Sequence, residues 1–280
     1  MKEINKLFYR TIFLIFFVFS VQAESKILSI GSPDAKVTIK VFSSLTCPHC
    51  ASFHSNVYEK LKEEYIDKGL VKINQKPLLE YILDDLIKLN FNEICIVIGY
   101  RGEQIIEYFG NGESFGIKIT YVTQTKQLGT ADALKQAQTF VGNNPFLLHL
   151  GDAINPNALK DNIQKMVDNE NDVSLLVCST KNVKRKLVGN IEMNNNIIKK
   201  IAEKSLISNS NYFWAGVAYF KNNLIFEKFE KLILSHTGEY EITDAVNDLL
   251  IDGIIVNGIT CSLSIDVGTE SGLIEASKYL

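Results

Sequence analysis

The sequence predicts an α/β fold, a doubly wound sheet flanked by helices, preceded by a short β-α fragment. Three observations predict it. From Lys76 onward, amphipathic stretches alternate with short apolar runs of strand length, as successive βαβ units require. Asp152 and Asp266 each follow such an apolar run, which puts carboxylates at the carboxyl ends of strands, where open α/β sheets bind ligands. The composition is that of a globular protein: 46% of the 280 residues are hydrophobic and 22% charged, so disorder, collagen and coiled coil are excluded as the main class. A net charge of -3 argues against a duplex nucleic-acid binder, which carries a basic surplus. Five cysteines are too few, and odd in number, for a disulfide-stapled miniprotein.

The first element is a leader. Lys2, Lys6 and Arg10 precede the apolar run 11–21 (TIFLIFFVFSV), and Val21-Gln22-Ala23 offers a cleavage site before Glu24. Residues 1–23 therefore read as a signal peptide, too short to span a bilayer comfortably; an uncleaved anchor and a buried helix are the alternatives. Its removal leaves 26 basic against 31 acidic residues, or -5. Export to the periplasm follows from this reading, and contact with a membrane only through an uncleaved leader.

Residues 36–43 (KVTIKVFS) alternate and are rich in β-branched side chains, so they predict a strand. Cys47-Pro48-His49-Cys50 follows, then a helical pattern over 51–65 with Val57, Leu61 and Tyr65 on one face. A strand, a C-x-x-C and a helix in that order place Cys47 at a helix N-terminus, where the macrodipole lowers a thiol pKa. Thiol–disulfide exchange needs this arrangement, with Cys47 attacking and Cys50 resolving. Half a zinc site is the competing reading, but a second closely spaced ligand pair is missing. The stretch resembles the DsbA family of periplasmic disulfide oxidases, on 31–35 (GSPDA), the strand ending in Phe42, the cysteine pair, Phe53-His54 and 61–69 (LKEEYIDKG). The resemblance implies a thioredoxin-like fragment over 24–70 acting on thiol substrates. It stops near Leu70, and no further strand of such a fold is expected after Ile73.

The alternation then begins. Residues 77–89 (PLLEYILDDLIKL) predict a helix with Pro77 at a permitted first-turn position. Strands are expected over 93–98, 117–122 and 145–150, with helices over 102–108 and 130–140. The residues that punctuate these elements resemble the sugar-1-phosphate nucleotidylyltransferases, over 71–280. They are 76–81 (KPLLEY), 97–100 (VIGY), 121–124, Leu128-Gly129-Thr130-Ala131, Gly151-Asp152, Gly189 with Glu192, Glu203-Lys204, 215–219 (AGVAY), 241–245 (EITDA) and 266–269 (DVGT). Each match is weak by itself; their order and spacing are specific.

The resemblance implies a Rossmann-like mixed sheet of the nucleotide-diphospho-sugar transferase type. It also implies transfer of a nucleotidyl group from UTP or dTTP to a hexose-1-phosphate, releasing pyrophosphate. Asp152 and Asp266 would hold Mg2+, which takes one or two carboxylates with phosphate oxygens and water. Gln124, Gly129, Thr130 and Gly151 would meet the nucleotide, Gly189 and Glu203 the sugar, and Lys204 its phosphate. Trp214 stands where the family commonly has Asn, and Lys184-Arg185 where many members have Asp-Pro, which bears on the choice of sugar. Upstream of Lys76 the family's Gly-rich loop, G-x-G-T-R-L, has no counterpart in this sequence. That loop cradles the triphosphate, and one fixed donor to a reacting phosphate is worth ~3 kcal/mol. Turnover is therefore expected to be weak or lost, with a non-catalytic nucleotide-sugar binder and a thiol–disulfide oxidoreductase as alternatives. The chain reads as a chimera joined near residues 69–74. One geometry would retain a phosphate site, with strand 37–42 in the vacant central slot and Cys47–Cys50 where the loop belongs.

Cys95, Cys178 and Cys261 lie in apolar strand-like runs and read as buried core thiols. Such a reduced core suits the cytoplasm and conflicts with the leader. His149 precedes Leu150 in a buried strand and reads as a hydrogen-bonded core histidine; His54 and His236 read as surface residues.

Overall fold

A computed structural model of the chain describes residues 28–32, 34–43, 58–180, 189–203, 210–236, 238–268, 272, 275, 276, 278 and 279. The leader, Cys47, Cys50, His54, Lys184, Arg185 and Lys204 lie outside the described residues.

The N-terminal part is a three-stranded sheet in the order β1 (Leu28–Ile30), β3 (Val71–Pro77), β2 (Val37–Ser43). β2 and β3 are parallel, with Val37 opposite Val71 and Ser43 opposite Pro77. Between them, α1 (Glu59–Leu61) widens into a π-helical turn, Lys62–Ile66, that buries Ile66. One expectation is corrected here. β2 lies beside β3, outside the main sheet, so it does not fill the central slot. β3 begins at Val71, before Ile73, and spans the expected junction.

β3 runs directly into α2 (Leu78–Lys88), with Pro77 as its N-cap residue. Leu78, Ile82, Leu83 and Leu86 form its buried stripe, at the spacing expected of a helix lying on a sheet. β4 (Glu93–Ile98) and β5 (Lys118–Thr123) then pair in parallel around α3 (Gly102–Phe109). The expected helix over 130–140 is two helices, α4 (Thr130–Gln136) and α5 (Gln138–Val141), separated by a turn at Ala137.

The main sheet has six strands in the order β6 (Phe146–His149), β11 (Tyr212–Phe220), β8 (Val173–Ser179), β12 (Val256–Cys261), β10 (Ile197–Ala202), β9 (Asn190–Asn194). β12 and β8 are parallel, whereas β11 is antiparallel to both β6 and β8, so the sheet is mixed as expected. Helices α6 (Ala158–Asp168), α7 (Leu224–Lys228) and α8 (Ile242–Ile251) complete the body. β8 shows why the layers hold together. Leu176 and Cys178 face a core shared with α2, β4 and α6, whereas Val173, Leu175 and Val177 face one shared with α4, α7 and α8. Successive side chains of a strand point to opposite faces, so a continuous apolar run is what a strand covered on both sides needs.

β4 and β6 belong to separate ladders. Between them lies a cleft of about 510 Å³, lined by both strands, by Leu79, Ile82 and Leu83 of α2, and by Ala133, Leu134 and Ala137 of the α4–α5 region. Thr130 and Gly151 also line it. Among the described residues no helix is long and apolar enough to cross a membrane.

Candidate active site

The two strand-end carboxylates meet. β6 leads through Leu150, Gly151 and Asp152 into β7 (Ala153–Ile154), which pairs antiparallel with β13 (Ile265–Asp266), setting Asp266 opposite Ala153. Val267 N–H donates to Asp152 O at 2.8 Å, and Gly268 N–H to Asp266 Oδ1 at 2.8 Å. A Cβ on Gly268 would stand 3.0 Å from Asp266 Oδ1 and 3.8 Å from Asp152 Oδ2, so both carboxylates converge on that glycine. Asp152 has an open face, but its carboxylate is set back among the strand ends. This recess, and then the charge of Asp266, push its pKa above the usual carboxylate range. Two carboxylates held together fit Mg2+ completed by water and phosphate oxygens. Among the described residues no cluster of three or more His, Cys, Asp or Glu side chains forms a fuller metal cage.

Gly216, assigned by pattern to the sugar loop, supports this turn. Its φ is 75°, and a Cβ there would lie 2.7 Å from Ala153 Cβ and 3.3 Å from Leu150 Cβ. Leu150 N–H donates to Gly216 O at 2.8 Å, and Asn155 Nδ2 to Ala215 O at 3.1 Å. The Ala215-Gly216 step thus fixes the loop that carries Asp152.

The nucleotide residues form a second cluster. Gln124 Nε2 donates to Gly129 O at 3.0 Å and to Asp132 Oδ2 at 2.8 Å. A carboxylate requires a donor opposite it, so Asp132 fixes the amide orientation and leaves the Gln124 carbonyl as the group a ligand can use. Gly129 has φ 109° and fits against the backbone of Tyr240, whose O would be 2.5 Å from an added Cβ. Tyr240 N–H donates to Leu128 O, and Ala131 N–H to Tyr240 O. Nothing lies within 4 Å of a Cβ placed on Gly151, so the space beside it is open.

The sugar residues form a third cluster. Gly189 is where a Cβ would stand 2.9 Å from Glu203 Oε2 and 3.4 Å from Thr243 Cγ2. Thr243 Oγ1 donates to Glu203 Oε2 at 3.1 Å. Trp214 N–H donates to Gly189 O at 3.0 Å while its indole N–H donates to Val217 O, so the residue that departs from the family pattern is tied into β11.

The first turn of α8 joins the second and third clusters. Thr130 Oγ1 donates to Glu241 Oε2 at 3.2 Å and accepts from Ile242 N–H at 3.0 Å, while Thr243, one residue on, holds Glu203. Sequence reading quoted 241–245 as a pattern and gave it no role. Its hub position depends on pairs 40 and 111 residues apart, which no local spacing reveals.

A buried charge network was also missed. Glu80, 1% exposed, accepts from Tyr108 OH at 2.7 Å and pairs with Lys76, which also pairs with Asp84 and lies over the Tyr81 ring. Burial first, then the Glu80 bond, push the Tyr108 pKa up. The i, i+4 spacing of Lys76 and Glu80 was the available signal. His149 has the expected hydrogen-bond partner, with Nδ1 2.7 Å from Leu150 O, but it is half-buried and lines the cleft; burial holds its pKa down, opposed first by the Leu150 contact and then by Asp85. His236 is exposed. Of the three strand cysteines, Cys178 is buried as expected, whereas Cys95 and Cys261 are half-buried.

Comparison with known proteins identifies the family. The family model for Nucleotidyl transferase matches residues 64–280. The chain is 30% identical over 215 residues to the low-salt glycan biosynthesis nucleotidyltransferase Agl11 of Haloferax volcanii, covering 76% of this chain and 60% of that one. It is 29% identical over 215 residues to the UTP–glucose-1-phosphate uridylyltransferase AglF of the same organism, covering 76% and 87%. Among solved structures, a Bacillus anthracis protein described as a glucose-1-phosphate thymidylyltransferase superposes with a TM-score of 0.64 at 27% identity, over 72% of this chain and 81% of that one. The family match takes in every element from β3 onward, and the chain belongs to the nucleotidyl transferase family.

Proposed function

We propose that the chain is a sugar-1-phosphate nucleotidylyltransferase. An oxygen of the sugar phosphate attacks the α-phosphate of a nucleoside triphosphate in line, and pyrophosphate leaves. One observation carries the reading. A single run of contacts passes from Gln124 through Gly129, Thr130, Glu241, Thr243, Glu203, Gly189, Trp214 and Gly216 to the Asp152 turn. This chain of contacts supports reading the residues assigned separately to base, sugar and metal as parts of one site.

In this reading Asp152 and Asp266 hold Mg2+, whose charge offsets that developing on the transferred phosphoryl group. Gln124 offers a carbonyl acceptor, which suits the ring N–H donor of uracil or thymine, in line with the uridylyl and thymidylyl names of relatives. Glu203, held by Thr243, accepts a sugar hydroxyl, and Lys204 neutralises the sugar phosphate. Gly151 leaves room for the nucleotide. Turnover is slow, because the sequence upstream of Lys76 has no Gly-rich phosphate loop. We read residues 24–70 as a truncated thioredoxin-like piece and residues 1–23 as an export leader, a fusion whose redox pair plays no part in nucleotidyl transfer.

The test is thermal unfolding of the full chain with Mg2+ and UTP, dTTP or CTP, followed by pyrophosphate release on adding glucose-1-phosphate. Ligand at 100-fold above Kd adds ~2.7 kcal/mol, so UTP or dTTP should raise the melting temperature by several degrees and CTP less. No shift with any nucleotide would overturn the reading.

A further inference from the structure

Cys178 and Cys261 were expected to be separate core thiols, but the sheet sets them side by side. They are the last register pair of the parallel β8–β12 ladder, Cys261 directly opposite Cys178, and both face the same core. A disulfide requires Cβ atoms ~3.5–4.5 Å apart, so two cysteines that are register partners on adjacent strands need only a small approach. Neighbouring strands lie ~4.7–4.9 Å apart, inside the Cα range of ~4.4–6.8 Å that disulfides span. The position also allows adjustment, because the ladder ends here and Cys261 passes into the irregular stretch 262–264. Cys178 is 5% exposed, whereas Cys261 is half-buried and reachable from outside.

We propose that Cys178 and Cys261 form a reversible disulfide with small-molecule disulfides such as oxidised glutathione as the oxidant. The inference is independent of the proposed function. The neighbouring Cys261 thiol draws the Cys178 pKa down to about 7 against burial, while its proximity to Cys178 and then burial push that of Cys261 up; the Cys261 S–H donates to Leu263 O, 3.7 Å away. Once deprotonated, the half-buried Cys261 sulfur, the more accessible of the two, attacks one sulfur of glutathione disulfide, breaking its S–S bond and releasing one glutathione thiolate. Cys178, deprotonated in turn, attacks the Cys261 sulfur of this mixed disulfide. The protein disulfide forms and the second glutathione thiolate leaves. The protein loses two electrons and two protons; the oxidant gains them and departs as two thiols. Cys95 is an internal control, because its register partner is Thr120 and burial raises its pKa to about 11.

The test uses the full chain with Cys47 and Cys50 replaced by serine, incubated with oxidised glutathione, alkylated and mapped by mass spectrometry. The expected result is a cross-linked species joining the peptides that carry residues 178 and 261, two hydrogens lighter than the reduced pair and restored by dithiothreitol. Cys95 should remain alkylatable. In Cys178→Ser the reaction should stop at a glutathione adduct on Cys261, and thermal melting should show that variant to be folded. Recovery of both thiols in the alkylated form, or of one glutathione on each cysteine, would overturn the proposal. Both readouts come from the chain with residues 178 and 261 intact, so the folding of the variant does not decide the outcome.

Discussion

Replacing Gly189 with alanine should weaken sugar recognition while leaving nucleotide binding intact. Gly189 does not have a left-handed φ, so alanine suits the backbone, and restricting the unfolded chain favours the variant by ~0.4–1 kcal/mol. The new methyl would stand 2.9 Å from Glu203 Oε2, against about 3.3–3.6 Å for a relaxed C···O contact. The carboxylate must retreat by roughly half an ångström, which lengthens the 3.1 Å bond from Thr243. A hydrogen bond to a charged group contributes ~1.5–3 kcal/mol, so kcat/KM for the sugar phosphate should fall roughly 10- to 150-fold at 1.4 kcal/mol per decade. Stability should fall by roughly 0.5–2.6 kcal/mol, since the entropic gain only partly offsets the weakened bond to the carboxylate. The assay is pyrophosphate release with the sugar phosphate varied at saturating nucleotide, then the converse. Where turnover is too slow, calorimetric Kd values for each substrate give the same ratio. Equal losses for both substrates, or an unchanged response to the sugar phosphate, would refute the assignment of the Gly189–Glu203–Thr243 cluster.

Three further outcomes are expected. Asp152→Asn and Asp266→Asn should each reduce Mg2+-dependent turnover at least 100-fold, as loss of a fixed electrostatic partner at a reacting phosphate does. Asp152→Asn should melt no lower than the parent, because it removes a recessed charge beside Asp266; a lower melt would show a structural role instead. Gly216→Ala should destabilise the fold by roughly 1–3 kcal/mol, the usual cost of a side chain in a sparsely populated backbone region, since φ is 75° and the new Cβ meets Ala153; an unchanged chemical denaturation midpoint would contradict that. Finally, burial lowers the pKa of His149 below its ordinary 6.5. Between its folded pKa and 6.5 the unfolded chain binds more protons, so stability should fall as pH drops below about 6.5. That slope should be shallower in His149→Gln, measured by urea unfolding across this range.

Much of this protein is determined by the sequence alone. The stripe of Leu78, Ile82, Leu83 and Leu86 specifies a helix on a sheet, and the apolar runs ending at Leu150 and Cys261 specify strands, because these periodicities are local. The apolar run before Asp152 likewise put that carboxylate at a strand end before any contact was known. What only the tertiary structure decided is adjacency between distant segments. The pairing of β7 with β13 brings Asp152 to Asp266, and α8 binds Thr130 on one side and Glu203 on the other. The β8–β12 register sets Cys178 against Cys261, and β2 joins β3 outside the main sheet. Such juxtapositions depend on which strand edges pair and in what register. The whole folded chain settles those choices, since each strand's local pattern suits several partners equally well.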